Sequence, residues 1–208
     1  MSFDLWLTFV AASTALLLIP GPTVLLVLSY ALSKGRSVAV ASAAGVSLGD
    51  FIAMTASLLG LGALVLASAT LFTIPKWVGA AYLVWLGITL IRSAPSEGLR
   101  LPKAEVTARG VFVHATTVTA LNPKSITFFI AFVPQFIRPD QPLLPQSAIL
   151  ISTFVSLAAI NALIYALLAD RMRQVISRPS ILTWLTRAGG AALVGMGVLL
   201  TATVRRAT

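Results

Sequence analysis

The chain of 208 residues has no cysteine and a single histidine, His114. Without cysteine it has no disulfide, thiol nucleophile or cysteine-ligated metal. One histidine without a partner supports neither a metal site nor the activation of a serine. HExxH and phosphate-binding glycine loops are also missing from the sequence. These absences argue against an enzyme, and we predict no metal and no cofactor.

Charge is also scarce in this sequence. Charged residues make up 10% of the chain and hydrophobic residues 58%, whereas soluble domains have about 25% charged residues. The formal net charge is +9, but the basic residues lie in short loops between apolar runs. That distribution is typical of membrane topology, not of a nucleic-acid surface. The composition therefore predicts an integral membrane protein that contacts the lipid bilayer and no nucleic acid.

Six apolar runs are long enough to cross about 30 Å of hydrocarbon as helices. We expect a turn at Pro75 and Lys76, between the second and third runs. No polar stretch is long enough for a soluble domain, so 1–208 is predicted to be one transmembrane domain. The fold class is then an all-α membrane protein with six transmembrane helices, at about residues 4–32, 38–68, 77–92, 110–137, 146–169 and 188–204.

The distribution of basic residues predicts the orientation of these helices. Loops that follow the first, third and fifth runs contain most of the lysines and arginines: Lys34, Arg36, Arg92, Arg100, Lys103, Arg109, Arg171, Arg173, Arg178 and Arg187. The opposite side has only Lys76, Arg138, Arg205 and Arg206. Because basic loops stay in the cytoplasm, both termini are expected outside it.

Two of the runs are interrupted by helix-breaking residues. The first contains Pro20, Gly21 and Pro22, and the fourth contains Asn122-Pro123 followed by Lys124. Proline lacks an N–H, while asparagine is a good N-cap and proline suits the first helical position. Each break thus predicts two half-helices, the second of which directs a positive dipole end at an anion. The alternative is that the prolines only kink their spans.

The two halves of the chain resemble each other. Residues 77–87 (WVGAAYLVWLG) align with residues 187–197 (RAGGAALVGMG), and the two breaks occupy matching runs. Since three spans are an odd number, the second copy enters from the opposite side of the membrane. We therefore predict an inverted 3+3 repeat, with halves at about 1–93 and 110–208 and with helices 1 and 4 broken.

Asp50 is the only acidic residue well inside an apolar run, and Lys124 is the only comparably deep base. A carboxylate at this depth costs about 2.5 to 3.5 kcal/mol and normally faces a partner. We hypothesise that Asp50 binds a substrate ammonium or a proton, while Lys124 and the half-helix N-termini bind a carboxylate. A zwitterionic amino acid would satisfy both. The predicted substrate-binding residues are Asp50, Lys124, Asn122, Pro123, Pro20, Gly21, Pro22 and Asn161, with Asp50 also proposed for proton coupling.

Two alternatives stay open at this point. Asp50 and Lys124 could form a purely structural ion pair in a membrane scaffold or assembly protein. Asn161, in the middle of the fifth run, could be a binding amide or make an interhelical hydrogen bond.

Four segments, PGPTVLLVLSYALSKGR, GVSLGDFIAMTASLLGLGALV, GAAYLVWLGITLIRS and LNPKSITFFIAFVPQFI, together resemble the LysE/RhtB family of amino-acid exporters. The family's PGP, GD and NPK elements correspond to residues 20–22, 49–50 and 122–124. The chain has Thr89, Leu199 and Thr186 where relatives often carry arginine or asparagine. The resemblance implies a bacterial inner-membrane protein that exports an amino acid such as homoserine, threonine, leucine or lysine, driven by the proton gradient as an antiporter. It leaves a homodimer open.

Overall fold

The computed structural model describes residues 1–18, 21–34, 36–67, 69–92, 107–138, 141–169 and 179–207. Within these ranges the regular elements are helices and none is a strand, as predicted. They are α1 (Phe3–Leu18), α2 (Pro22–Lys34), α3 (Arg36–Ala67), α4 (Ala69–Arg92), α5 (Ala108–Ala120), α6 (Pro123–Ala131), a 3-10 turn (Val133–Phe136), α7 (Leu143–Leu167) and α8 (Pro179–Ala207).

Several of these helices meet the length and composition needed to cross a membrane. Among the described residues, Val38–Gly60 within α3 and the whole of α7 do so as single helices. Phe3–Leu18 and Thr23–Ala31 meet the requirement together, as a pair bent by 58°. This bend lies at the predicted first break, and α2 begins at Pro22 as expected from its place after Gly21. Pro20 lies outside the described residues.

Two predicted boundaries are wrong. The turn expected at Pro75 and Lys76 does not form, because α4 begins at Ala69 and continues through both residues. Neighbouring helices allow membrane helices to tolerate an internal proline. The last helix begins at Pro179 and not near residue 188, since proline is well suited to a first helical position.

Small residues allow α3 to approach α5 closely. A Cβ atom on Gly45 would lie 2.5 Å from the Phe112 carbonyl oxygen, and one on Gly49 would lie 2.7 Å from the Thr116 carbonyl oxygen. Both distances are too short for any side chain, so this GxxxG spacing serves backbone-to-backbone packing. This contact fixes the position of Asp50, which follows Gly49, relative to α5.

Helices α4 and α8 pack on each other through matching contacts. A Cβ on Gly87 would lie 2.7 Å from Val194 Cγ2, and a Cβ on Gly197 would lie 2.6 Å from Val84 Cγ2. The alignment of residues 77–87 with 187–197 pairs Gly87 with Gly197 and Val84 with Val194. When each residue is replaced by its aligned counterpart, the Gly87–Val194 contact becomes the Gly197–Val84 contact.

Two buried clusters divide the interior. The larger one contains aromatic side chains from α1, α6, the 3-10 turn and α7, namely Phe9, Phe128, Phe129, Phe136 and Phe154. The smaller one is built from valines and alanines of α2, α3, α5 and α7. Residues of both clusters line one cavity, among them Ala158 of the first cluster and Ala162 of the second.

Candidate functional site

A cavity lies between α1, α2, α3, α6 and α7, close to both helix breaks. Its empty volume is about 460 Å³, including its open mouth. Five of the predicted binding residues line it, namely Gly21, Asp50, Asn122, Lys124 and Asn161. The fold thus brings together residues that are up to 140 positions apart in the chain.

Asp50 is an acceptor inside this cavity. Its side chain is only 2% exposed, and Oδ1 has no hydrogen-bond partner among the described residues. A buried carboxylate oxygen is costly unless a donor or a cation is supplied. The atom is therefore suited to accept a hydrogen bond from a ligand ammonium or to take up a proton.

Lys124 is the cation of the cavity. The residue is 9% exposed, and Nζ donates to the Leu16 carbonyl at 3.2 Å. Nζ also lies close to the chain at Gly21, where a Cβ atom would be 3.3 Å away. The glycine in the first break therefore makes room for the lysine of the second break. Lys124 and Asp50 attract each other electrostatically across the cavity.

Asn122 caps α6 as predicted and also joins it to α2. Its Oδ1 accepts from the Lys124 backbone N–H at 3.0 Å, and its Nδ2 donates to Thr23 Oγ1 at 3.1 Å. The Asn122 backbone N–H donates to the Thr119 carbonyl at 3.1 Å. These bonds fix the position of Asn122 beside Lys124, and because the amide has a second N–H and lines the cavity, its role in substrate binding stays a prediction.

The last three carbonyls of α1 receive hydrogen bonds from side chains of other helices. Besides the lysine bond to Leu16, Asn161 Nδ2 donates to Leu17 at 3.2 Å and Tyr165 Oη donates to Leu18 at 3.4 Å. The final carbonyls of a helix have no partner within that helix, and hydrocarbon supplies none. Asn161 thus makes an interhelical hydrogen bond, and because it also lines the cavity, its role as a binding amide stays a prediction.

Two prolines of the predicted set each begin a helix. Pro123 occupies the first position of α6 and is exposed, and it does not line the cavity. Pro22 begins α2. Both prolines direct the backbone, because they lack an N–H and favour a helix start.

Sequence patterns alone missed several residues of the cavity wall. Thr23 and Ser125 line it, and each directly follows one of the two predicted break motifs. Tyr165 also lines it, one helical turn after Asn161. The helical period of α7 is a pattern that could have identified Tyr165.

Membrane-length apolar helices, two helix breaks and a cavity with buried charges of both signs define an integral membrane protein with an interior polar site. The model of one family, the LysE type translocator, matches residues 14–203. The chain therefore belongs to the LysE-type translocator family. This confirms the resemblance noted from its motifs, and a translocator is not an enzyme.

Named relatives extend over nearly the whole chain. A homoserine/homoserine lactone efflux protein of Salmonella typhimurium is 38% identical over 96% of this chain and 97% of its own length. An uncharacterized membrane protein of Vibrio cholerae is 34% identical over 96% of this chain and 98% of its own length. A leucine efflux protein of Salmonella typhimurium is 28% identical over 78% of this chain and 77% of its own length. No solved structure matches the chain significantly.

Proposed function

We propose that the protein exports a small amino acid from the cytoplasm by proton antiport. The observation that supports this most directly is the unpartnered Oδ1 of Asp50 in the same cavity as the Lys124 ammonium. The two charges suit the two ends of a zwitterion. Relatives named as efflux proteins for homoserine and for leucine support amino acids as the substrate class.

In the proposed complex the substrate ammonium donates to Asp50 Oδ1. The substrate carboxylate accepts from Lys124 Nζ, which leaves the Leu16 carbonyl to do so. The N-terminal ends of α2 and α6 border the cavity at Thr23 and Ser125, and their positive dipole ends favour the carboxylate further. The two broken helices thus serve as the substrate site, as in other secondary transporters.

The proposed topology has six spans in an inverted 3+3 repeat, in the bacterial inner membrane with both termini outside the cytoplasm. The exchange of the Gly87–Val194 contact with the Gly197–Val84 contact supports a two-fold relation between the halves. The excess of basic residues after the odd spans supports the orientation. Cysteine accessibility tests it directly, because the native chain contains no cysteine.

Asp50 is the proposed proton site. When the substrate leaves, its ammonium no longer offsets the buried carboxylate, and a proton taken from the outside can do so. Exchange of ammonium for proton at one carboxylate would couple export to proton entry. The cavity is lined within one chain, so this proposal does not require the homodimer that the sequence left open.

A structural ion pair in a scaffold protein is the second candidate, because Lys124 also bonds the end of α1. Counterflow in proteoliposomes separates the two functions. We expect saturable exchange of labelled homoserine, threonine or leucine that empty liposomes lack. Absence of saturable flux for every amino acid, with correctly inserted protein, would exclude the exporter.

Coupling is tested with an imposed pH gradient and a pH-sensitive dye in the lumen. Efflux of a loaded amino acid should accelerate when the outside is more acidic, and the lumen should acidify during efflux. Efflux that responds to a sodium gradient and not to the pH gradient would contradict proton antiport.

Asp50→Asn tests the site. We expect loss of counterflow, because a neutral amide cannot pair with the substrate ammonium. Asp4→Asn is the matched control, since Asp4 is exposed in the first turn of α1. Near-normal flux in a folded Asp50→Asn protein would show that the assignment of Asp50 is wrong.

A further inference from the structure

The side chains on the buried face of α7 change abruptly in size along the helix. Its buried residues recur every fourth position, first as Gln146, Leu150 and Phe154 and then as three alanines. The change comes where α7 reaches the cavity, which Ala158 and Ala162 line. One turn earlier, the side chain on the same face of α7 is large. The cavity therefore lies where the side chains of α7 are small.

The cavity has a polar side and an apolar side. Asp50, Lys124 and Ser125 belong to the polar side, whereas Val27, Val46 and Ala162 supply apolar surface. These three apolar residues belong to one buried cluster and come from three helices, α2, α3 and α7. Val46 lies exactly four residues before Asp50 on α3, so the apolar wall begins one turn away from the carboxylate.

We infer that Val27, Val46 and Ala162 form the subsite for the substrate side chain and that Ala162 limits its size. This rests on the proposed function, since it assumes that the zwitterion lies between Asp50 and Lys124. The subsite has no charged group, so it takes an uncharged side chain. The preferred substrates are then neutral amino acids with short side chains, and not a cationic amino acid.

Two substitutions should shift the preference in opposite directions. Ala162→Val adds two carbons to the subsite wall, so the rate for leucine should fall relative to the rate for threonine. Val46→Ala removes two carbons, so the same ratio should rise. One methylene in an apolar pocket is worth about 10-fold or more in discrimination, and we expect about a tenfold change in the ratio in each case.

Ala166→Val is the matched control. Ala166 lies one turn after Ala162 in the same buried cluster but does not line the cavity. The substitution therefore changes packing as Ala162→Val does, without narrowing the subsite. Its leucine-to-threonine ratio should stay at the wild-type value even if its overall rate falls.

The experiment measures initial counterflow rates of labelled threonine, leucine and lysine in proteoliposomes of the wild type and the three variants. Opposite shifts in Ala162→Val and Val46→Ala, with an unchanged ratio in Ala166→Val, support the subsite. Unchanged ratios in both subsite variants, or a wild type that prefers lysine, overturn it while leaving the exporter intact. If Ala162→Val does not fold, the ratio in Val46→Ala decides alone. Absence of any counterflow in the wild type overturns the proposed function itself.

Discussion

The two helix breaks of this protein are satisfied in different ways. At the break between α5 and α6, the backbone groups near Pro123 are bonded locally. The Asn122 side chain accepts from the Lys124 backbone N–H, and the Asn122 backbone N–H donates to the Thr119 carbonyl. At the end of α1, the carbonyls are bonded by side chains from α6 and α7. Among the described residues, the break between α5 and α6 is thus bonded largely by its own neighbours, whereas the end of α1 is bonded by residues far away in the chain.

This difference has a consequence for transport. A helix end that accepts hydrogen bonds from distant side chains can be released when those side chains find another partner. Lys124 is such a side chain, because the proposed substrate carboxylate would compete with the Leu16 carbonyl for its ammonium. The locally capped break can stay rigid while the end of α1 changes partners.

Among the substitutions at the two breaks, Lys124→Ala should reduce transport most. It removes the donor to Leu16 and the cation of the cavity together, so we expect no measurable counterflow. Arg109→Ala, at an exposed position in the first turn of α5, is the control and should transport normally. Near-normal flux in Lys124→Ala would show that Lys124 does not contact the substrate.

Asn122→Ala should have the second largest effect, because it removes the side chain that caps α6 at the break between α5 and α6. Loss of an N-cap costs about 0.5 to 2 kcal/mol, and the link to Thr23 is lost as well. We expect a lower free energy of unfolding in bicelles and a reduced transport rate, because Lys124 is no longer positioned. Asn122→Ser keeps a capping oxygen and should recover part of the stability. If Asn122→Ala is as stable as the wild type, the break does not depend on this cap.

Asn161→Leu removes one of the distant donors to α1. Interhelical hydrogen bonds in membranes contribute on average about 0.6 kcal/mol, so the loss of stability should be smaller than for Asn122→Ala. The same measurement in bicelles checks the order. A larger loss than in Asn122→Ala would reverse the proposed difference between the two breaks.

Tyr165→Phe should have the smallest effect. Its hydrogen bond to Leu18 is long, at 3.4 Å, and lies at an exposed position. Tyr165 lines the cavity, where water can replace the hydroxyl, so we expect wild-type stability within about 0.5 kcal/mol. Amide hydrogen exchange at the end of α1 is the more sensitive measurement, and it should accelerate slightly. Strong destabilisation would mean that the hydroxyl has a role beyond this bond.

Local rules explain which part of the site could be predicted. The break at Asn122 and Pro123 follows from capping and from the missing proline N–H, and both operate within a few residues. The partners of Leu17 and Leu18 lie 144 and 147 residues away in the chain. No local pattern predicts which carbonyls these side chains bond, although the helical period of α7 places Tyr165 on the same face as Asn161.

The prediction of helix boundaries failed for a related reason. Pro75 was expected to end a helix because proline disrupts one in water, yet α4 continues through it. In a membrane the neighbouring helices decide whether a proline breaks a helix or only bends it. The local rule thus failed at Pro75 in α4 and held at Pro123, where α6 begins.

The sequence by itself determined that this is a helical membrane protein, where its two helices break and to which family it belongs. These properties follow from apolar length, backbone chemistry and motifs, each of which is local. Only the tertiary structure decided that Lys124 lies against Gly21, that Asn122 bonds Thr23 of α2, and that small residues of α7 line the cavity. Such contacts depend on which helix faces pack together, and packing joins residues that no stretch of sequence contains.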